Sequence, residues 1–362
     1  MKFPGSFKWL VLVVIIYSSC SEKEEKLTQK EALEFATAIE KSIAKGDASF
    51  LDKAFSKREF TKRLNLPDGD EARGYATGIM SKLTLGSQLI AALSGRDAFS
   101  FIKQYEKDGK HHIIFKIYMD KSGSLNYHDY ELLKTNGQCK IADVYIYMSG
   151  ETMAETLGNL YKTLDKHANE TDKSFSDKDM PEVFNLKKAK ELMMRGQYAE
   201  AKEVFNSLPD YLRNTKPALL MNTQICAGVS NEEYAKAIEA YKFRFPGERN
   251  ISLLMIDGYY IRKDYLKMLG AINTLDSQIN KDPFLDYYRY LGYNILNDDS
   301  NALASLQRLI VSMPDFEKGY LELIARDLRT GNRKSADSLA AIYKKKPGFE
   351  QEDLQQVLSL YE

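Results

Sequence analysis

The spacing of apolar residues changes three times along the chain. An unbroken apolar run from Trp9 to Tyr17 lies near the start. From Lys26 to about Gly95 apolar residues recur at helical spacing, from Asp97 they alternate with polar residues, and beyond Val183 the helical spacing returns to the end of the chain. Helices repeat about every 3.6 residues and strands every two, so these periods predict an α+β region followed by an all-α region.

The α+β region is predicted to span residues 27–166. Three helices are expected over about 33–43, 50–64 and 71–93, separated by Gly46 and by the turn Pro67-Asp68-Gly69. Four strands then follow at 99–107, 111–119, 125–134 and 139–148, and a helix at about 151–164. The pairs Asp108-Gly109 and Asn136-Gly137 lie where two-residue hairpin turns belong, so the strands should form a four-stranded antiparallel meander with helices packed on it.

Three helices followed by long strands in this order resemble the nuclear-transport-factor-like cone fold. The resemblance covers about Leu27 to Leu164 and rests on the order of elements. The polar stretch after it, 167–182, is predicted to be a linker.

The segment 183–362 repeats one frame of residues. Gly196, Tyr198, Ala201 and Phe205 resemble the second helix of a tetratricopeptide repeat, and the frame returns at Tyr234, Ala237 and Tyr241. The small-residue position recurs at 201, 237, 268, 302 and 336, close to that family's period of about 34 residues. The resemblance implies a solenoid of helix pairs, ending in a capping helix over 351–361. The alternative is an ordinary helical bundle.

The nine-residue apolar run is too short for a membrane span, which needs about 20 residues, so residues 1–19 are predicted to be a signal peptide. Ser18-Ser19-Cys20 then resembles the lipobox of bacterial lipoproteins, although Tyr17 replaces the usual Leu or Ile. That resemblance implies acyl chains on Cys20 and an acidic tether over 20–26. Glu22, Glu24 and Glu25 also resemble an export signal of surface lipoproteins in some Gram-negative bacteria, which implies an outer-membrane location and exposure at the cell surface. The alternative is an ordinary cysteine after a conventional cleavage site.

Composition narrows the functional classes. The 51 basic and 51 acidic side chains balance, whereas a nucleic-acid partner requires a clustered basic face. Three cysteines and four histidines offer little for a zinc site. We expect no metal, no cofactor and no catalytic set.

Asp129 and Glu131 are the candidate cavity carboxylates. If Asn136-Gly137 forms a two-residue turn, Asp129 lies opposite Val144, and both carboxylates share one face of the sheet with Val144 and Ile146. On a concave apolar face their pKa values would be raised, as a general acid or base requires. The alternative is a solvated face without chemistry.

The concave groove of the repeats is the candidate partner surface. In the tetratricopeptide family the first helix of each pair lines this groove, and the resemblance carries that role to Lys190, Asn222, Asp257, Tyr260, Tyr287 and Asn294. The expected function is therefore a lipid-anchored envelope protein that binds a protein or peptide through its repeats and is not an enzyme. Two alternatives stay open: a small-ligand binder or enzyme that uses the α+β cavity, and a nutrient-capturing surface lipoprotein.

Overall fold

The computed structural model describes residues 24–120, 123–171 and 181–361. The proposed signal peptide and Cys20 lie outside these ranges. The structure has an antiparallel sheet, preceded by short helices and followed by a long run of helices, so the α+β and all-α order is confirmed.

Between residues 26 and 97, ahead of the long strands, the structure has five helices where the sequence predicts three. They are α1 Gln29–Ala44, α2 Ser49–Ala54, α3 Lys57–Arg63, α4 Asp70–Lys82 and α5 Leu85–Ala92. The predicted second helix divides because Phe55 is extended and Ser56 donates its N–H to the carbonyl of Ile141, 2.8 Å away, before it caps α3. The third divides at Leu83, which is also extended. Beyond that break Gly86 lies so close to α2 that a Cβ there would meet the carbonyl oxygen of Ala48 at 2.6 Å.

The sheet contains the four predicted strands and two short additions. Its strands are β1 Glu24–Glu25, β2 Ala98–Lys107, β3 Lys110–Met119, β4 Ser124–Thr135, β5 Gln138–Ile146 and β6 Glu151–Thr152. β2 to β6 pair antiparallel in chain order, and β1 pairs with the end of β4. Both predicted hairpin turns are confirmed, since all four residues of Asp108-Gly109 and Asn136-Gly137 have positive φ.

The predicted register between β4 and β5 is wrong beyond the first four pairs. An irregularity between Glu131 and Leu132 shifts the pairing by one residue, so Asp129 lies opposite Tyr145 and not Val144. Val144 instead pairs with Tyr130 and faces the N-terminal helices. A bulge of this kind adds one residue to one strand, and the hydrophobic pattern of the sequence does not predict it.

Helices form the remainder of the structure. α6 runs from Met153 to Thr171, so it extends into the predicted linker. After it come α7 Pro181–Met194, α8 Tyr198–Asn206, α9 Asp210–Arg213, α10 Lys216–Val229, α11 Asn231–Arg244, α12 Ile251–Ile261, α13 Tyr265–Gln278, α14 Leu285–Ile295, α15 Asp299–Ser312, α16 Glu317–Arg329, α17 Arg333–Tyr343 and α18 Gln351–Ser359. Apart from α9 and α18 these helices pack in consecutive pairs, and each pair also packs on the next.

Both faces of the sheet are covered. One face packs Ile113, Phe115 and Tyr130 against the N-terminal helices. The other face packs Ile114 and Tyr127 into a second core that includes residues of α10 to α14. The sheet and the helical half therefore share a hydrophobic core.

Within the part of the chain that the structure describes, five ion pairs join the sheet region to the helical half. On the helical side each uses a residue in the first turn of a helix or just before it, in every second helix from α10 to α18. The pairs are Glu151–Lys216 (3.5 Å), Asp129–Arg249 (3.4 Å), Lys116–Asp282 (3.3 Å), Asp120–Lys318 (2.7 Å) and Arg96–Asp353 (2.9 Å). Equivalent turns of successive helix pairs thus contact successive parts of one sheet.

The Lys116–Asp282 pair is the most deeply buried of the five, with side chains 3% and 1% exposed. Asp282 also accepts hydrogen bonds from the hydroxyl of Tyr127 (2.8 Å) and the N–H of Phe284 (2.9 Å). The ammonium of Lys116 lies 4.3 Å from the centre of the Phe284 ring. Burial lowers the pKa of Lys116, and Asp282 opposes that shift.

Replacing Asp282 should destabilise the whole protein. We expect Asp282→Asn to lower the free energy of unfolding by about 3–5 kcal/mol, because it leaves the charge of Lys116 buried without a counter-ion. Urea unfolding of the full chain measures this. The matched control is Glu232→Gln, which removes an exposed ion pair to Lys236 and should change stability by less than about 0.5 kcal/mol. Equal effects of the two variants would contradict the role given to the buried pair.

Candidate functional site

Asp129, the first candidate carboxylate, lies where the sheet meets the helical half. Its side chain is 2% exposed. It accepts hydrogen bonds from the hydroxyl of Tyr105 (2.5 Å) and from Arg249 (3.4 Å), and Nδ1 of His112 lies 3.1 Å away. The guanidinium of Arg249 also covers the ring of Tyr147 at 4.7 Å. Asp129 therefore belongs to a closed interface network rather than to an open cavity.

Glu131, the second candidate, bonds to other partners. Arg63 donates two hydrogen bonds to it, at 2.6 and 2.8 Å, and the ammonium of Lys110 lies 2.6 Å away. Burial alone would raise the pKa of Glu131, but the hydrogen bonds from Arg63 and Lys110 outweigh burial and hold the pKa at about 2. A carboxyl group with so low a pKa is a poor general base, and its direction of shift is opposite to the one expected for a cavity carboxylate.

The six predicted groove residues have separate surroundings. Asp257 accepts a hydrogen bond from Tyr234, Asn222 from the thiol of Cys226, and Asn294 from Arg329. Tyr287 packs among Phe284 and Phe316, and Tyr260 is 52% exposed. The sixth, Lys190, lines a cleft.

This cleft lies where α6 and the end of β5 meet α7 and α10, and we call it the junction cleft. Its volume is about 860 Å³, within the range of roughly 300–1,000 Å³ that is typical of small-ligand sites. Much of its wall is apolar, formed by Ile146, Met148, Leu160, Leu186, Met193, Pro217, Leu220, Met221 and Phe245.

Local sequence explains how the walls are placed. Lys216 and Pro217 begin α10, because proline is favoured in the first turn of a helix, and this directs Leu220 and Met221 of the next turn towards the cleft. On the opposite wall Leu160 and Thr163 lie three residues apart on α6 and so share one helix face.

The charges at the junction cleft are predominantly positive. Glu151 is the only acidic residue in the described lining, and its partners are Lys216 (3.5 Å), Thr156 (3.1 Å) and Asn159 (3.5 Å). Lys216 also pairs with Glu248 at 2.9 Å. Lys187, Lys190 and Arg244 complete the charged lining at exposed positions.

Of the residues that line the junction cleft, the sequence analysis singled out Lys190, which it assigned to the groove of the repeats; it did not predict the cleft. The residues that form the walls come from separate segments, and no local signal in any one segment shows that these elements leave a gap between them. The interface cluster around Asp129 was missed because Tyr105, His112 and Arg249 lie on different elements, and Arg249 is 120 positions from Asp129 in the chain.

Comparison with protein-family models, with curated proteins and with solved structures finds no significant match for this chain. Within the described ranges, no group of three or more His, Cys, Asp or Glu side chains is arranged to hold a metal ion.

The low pKa of Glu131 predicts a pH-dependent contribution to stability. The ionised form stabilises the fold fully above the unfolded pKa of about 4.5, and the contribution is lost as the pH falls towards about 2. Glu131→Gln should therefore lower the free energy of unfolding by about 1–3 kcal/mol at neutral pH, and wild type and variant should converge in acid. Urea titrations across this pH range check it. The control Glu34→Gln removes an exposed pair with Lys30 and should have little effect at any pH; a difference for Glu131 that did not change with pH would refute the assignment.

Proposed function

We propose that this chain is a lipid-anchored envelope protein that binds a small ligand in the junction cleft, at the first two pairs of a tetratricopeptide-like helical array. The observation that carries the proposal is the cleft itself. It is of ligand size and largely apolar, and both halves of the protein contribute its walls.

The burial pattern of the helical half supports a repeat array. The small-residue positions Ala201, Ala237, Met268, Ala302 and Ala336 are all at most 7% exposed. Phe205, Tyr241, Ile272 and Leu306, four residues further on, are also buried. A residue that recurs at one buried position of each helix pair is what stacking of equivalent pairs requires.

The membrane anchor rests on the sequence around Cys20. No helix of the described residues is both long enough and apolar enough to cross a bilayer. Acyl chains would supply the attachment instead, since each buried methylene contributes about 0.8 kcal/mol and two or more long chains hold a protein stably.

A ligand site in the cone-like sheet, the first alternative from the sequence, receives less support. The sheet is covered on both faces, and the carboxylates that would act there, Asp129 and Glu131, are paired with cations. The junction cleft lies at the edge of that sheet.

A protein partner on the helical half is the second candidate function. Large apolar side chains that are more than half exposed favour it, because such side chains are typical of contact surfaces. Among the described residues of the helical half they are Phe243 (89%), Val311 (79%), Met194 (75%), Leu266 (72%), Leu360 (72%), Phe184 (64%) and Tyr260 (52%).

The anchor predicts that Cys20 carries the acyl chains. Metabolic labelling with a tagged fatty acid should mark the wild-type chain and leave Cys20→Ser unmarked. Cys139→Ser is the matched control and should keep the label, because Cys139 lies on β5 and far along the chain from the proposed processing site. A processed N-terminal peptide whose Cys20 thiol is unmodified by mass spectrometry would refute the anchor.

The cleft predicts a bound small molecule. Native mass spectrometry of the full chain, purified from envelopes, should show a non-covalent adduct, and Gln224→Trp should remove it. Gln224 lines the cleft from an exposed position, so tryptophan there fills space without disturbing a core. Lys188→Trp is the control on α7, outside the lining, and should keep the adduct. An adduct that survives Gln224→Trp, or no adduct in the wild type, would contradict the proposal.

A further inference from the structure

We propose that the ligand of the junction cleft is a long-chain carboxylate, held with its acyl tail inside the cleft and its carboxylate at the rim between Lys190 and Arg244. This inference rests on the proposed function and adds the chemical class of the ligand. It is carried by three observations: the apolar interior, the hydrogen bonding of the polar lining, and the charge of the rim.

The interior suits a flexible apolar chain. Three methionines, Met148, Met193 and Met221, come from β5–β6, α7 and α10 and face one space together with Leu160 and Leu220. Methionine is unbranched and polarizable, so it adapts to a ligand of variable shape. Burying an acyl chain here would release water from the chain and from the cleft wall. This release favours binding by about 25 cal/mol for each Å² of apolar area buried.

Several polar side chains of the lining already form hydrogen bonds within the protein. Asn126 accepts hydrogen bonds from the N–H groups of Tyr127 and Met148, each at 2.8 Å. Thr156 donates to Glu151, Thr163 to the carbonyl of Asn159, and Thr215 to the carbonyl of Leu212. A peptide in the cleft would leave many of its amide groups without partners, which is costly, whereas an acyl chain has none to satisfy.

The rim favours an anion. Among the described residues no carboxylate pairs with Lys190 or Arg244, and Lys187 has only an exposed contact with Glu191 at 3.9 Å. Deeper in the cleft Lys216 already pairs with Glu151 (3.5 Å) and Glu248 (2.9 Å), so it is not available to a ligand anion. The carboxylate of the ligand therefore lies at the rim, where it pairs with cations and stays hydrated, while the acyl tail lies inside the cleft.

Displacement of cis-parinaric acid, a fluorescent long-chain fatty acid, tests the inference. The protein is the full chain in a Cys20→Ser background, so that its own acyl groups cannot compete. Oleate and oleyl alcohol are the competitors, since they share a tail and differ in charge. We expect oleate to bind about 5- to 20-fold more tightly than the alcohol, and added salt to reduce that preference.

Rim variants separate charge from tail binding. The double variant Lys190→Glu and Arg244→Glu should weaken the binding of oleate by about 10-fold or more and leave the binding of oleyl alcohol nearly unchanged. Both positions are exposed, so folding should be retained, and the melting temperature checks this. Lys188→Glu is the control on α7, with the same charge change outside the lining, and should bind oleate as the wild type does.

The outcomes also distinguish this inference from the proposed function. Equal binding of acid and alcohol, or oleate binding that is insensitive to the rim variants, would overturn the carboxylate assignment and leave a ligand cleft in place. Absence of parinaric acid binding would overturn the inference as well; the proposed function would then fall only if the adduct test with Gln224→Trp also failed. Tight oleate binding that Gln224→Trp abolishes would support both.

Discussion

The structure depends on a sheet that is apolar on both faces. Six consecutive residues of β3, from Ile113 to Tyr118, are buried, and they alternate between the core of the N-terminal helices and the core shared with α10 to α14. An antiparallel sheet commonly leaves one face to water, but this one must be covered on both sides to bury its apolar surface. The helical half supplies the second cover, so its position is set by the stability of the sheet.

The polar contacts of this interface fix its register. A buried ion pair adds little net stability compared with apolar residues, but a mispaired one is strongly unfavourable. Lys116 with Asp282 and Asp129 with Arg249 therefore penalise any docking that shifts one turn of the helical half along the sheet. Because the turns that begin α10 and α12 are both held, the wall of α10 lies at a fixed distance from α6. The junction cleft is a consequence of this arrangement, so it is preformed in the folded protein.

Local patterns predicted most elements of the fold. The Asp108-Gly109 and Asn136-Gly137 turns, the four long strands and the buried small residues of the helix pairs all follow from side-chain size and backbone preference within a few residues. The predictions that were wrong concern positions where a contact between residues far apart in the chain determines the local structure. Ser56 interrupts a helix to bond to Ile141 on β5, and one extra residue in β5 moves Asp129 away from Val144. The candidate site was predicted less well, with Lys190 the single groove residue that lines the cleft.

The sequence by itself determined the order of strands and helices, the hairpin turns and the repeated frame, because each depends on interactions between residues that are close in the chain. Only the tertiary structure decided that Asp129 forms an ion pair with Arg249 and Glu131 one with Arg63. It also decided that α6, α7 and α10 enclose an apolar space. These features join residues tens to more than a hundred positions apart. Such contacts depend on how the surfaces of two packed segments fit together. The periodicity of one segment carries no information about which other segment packs on it.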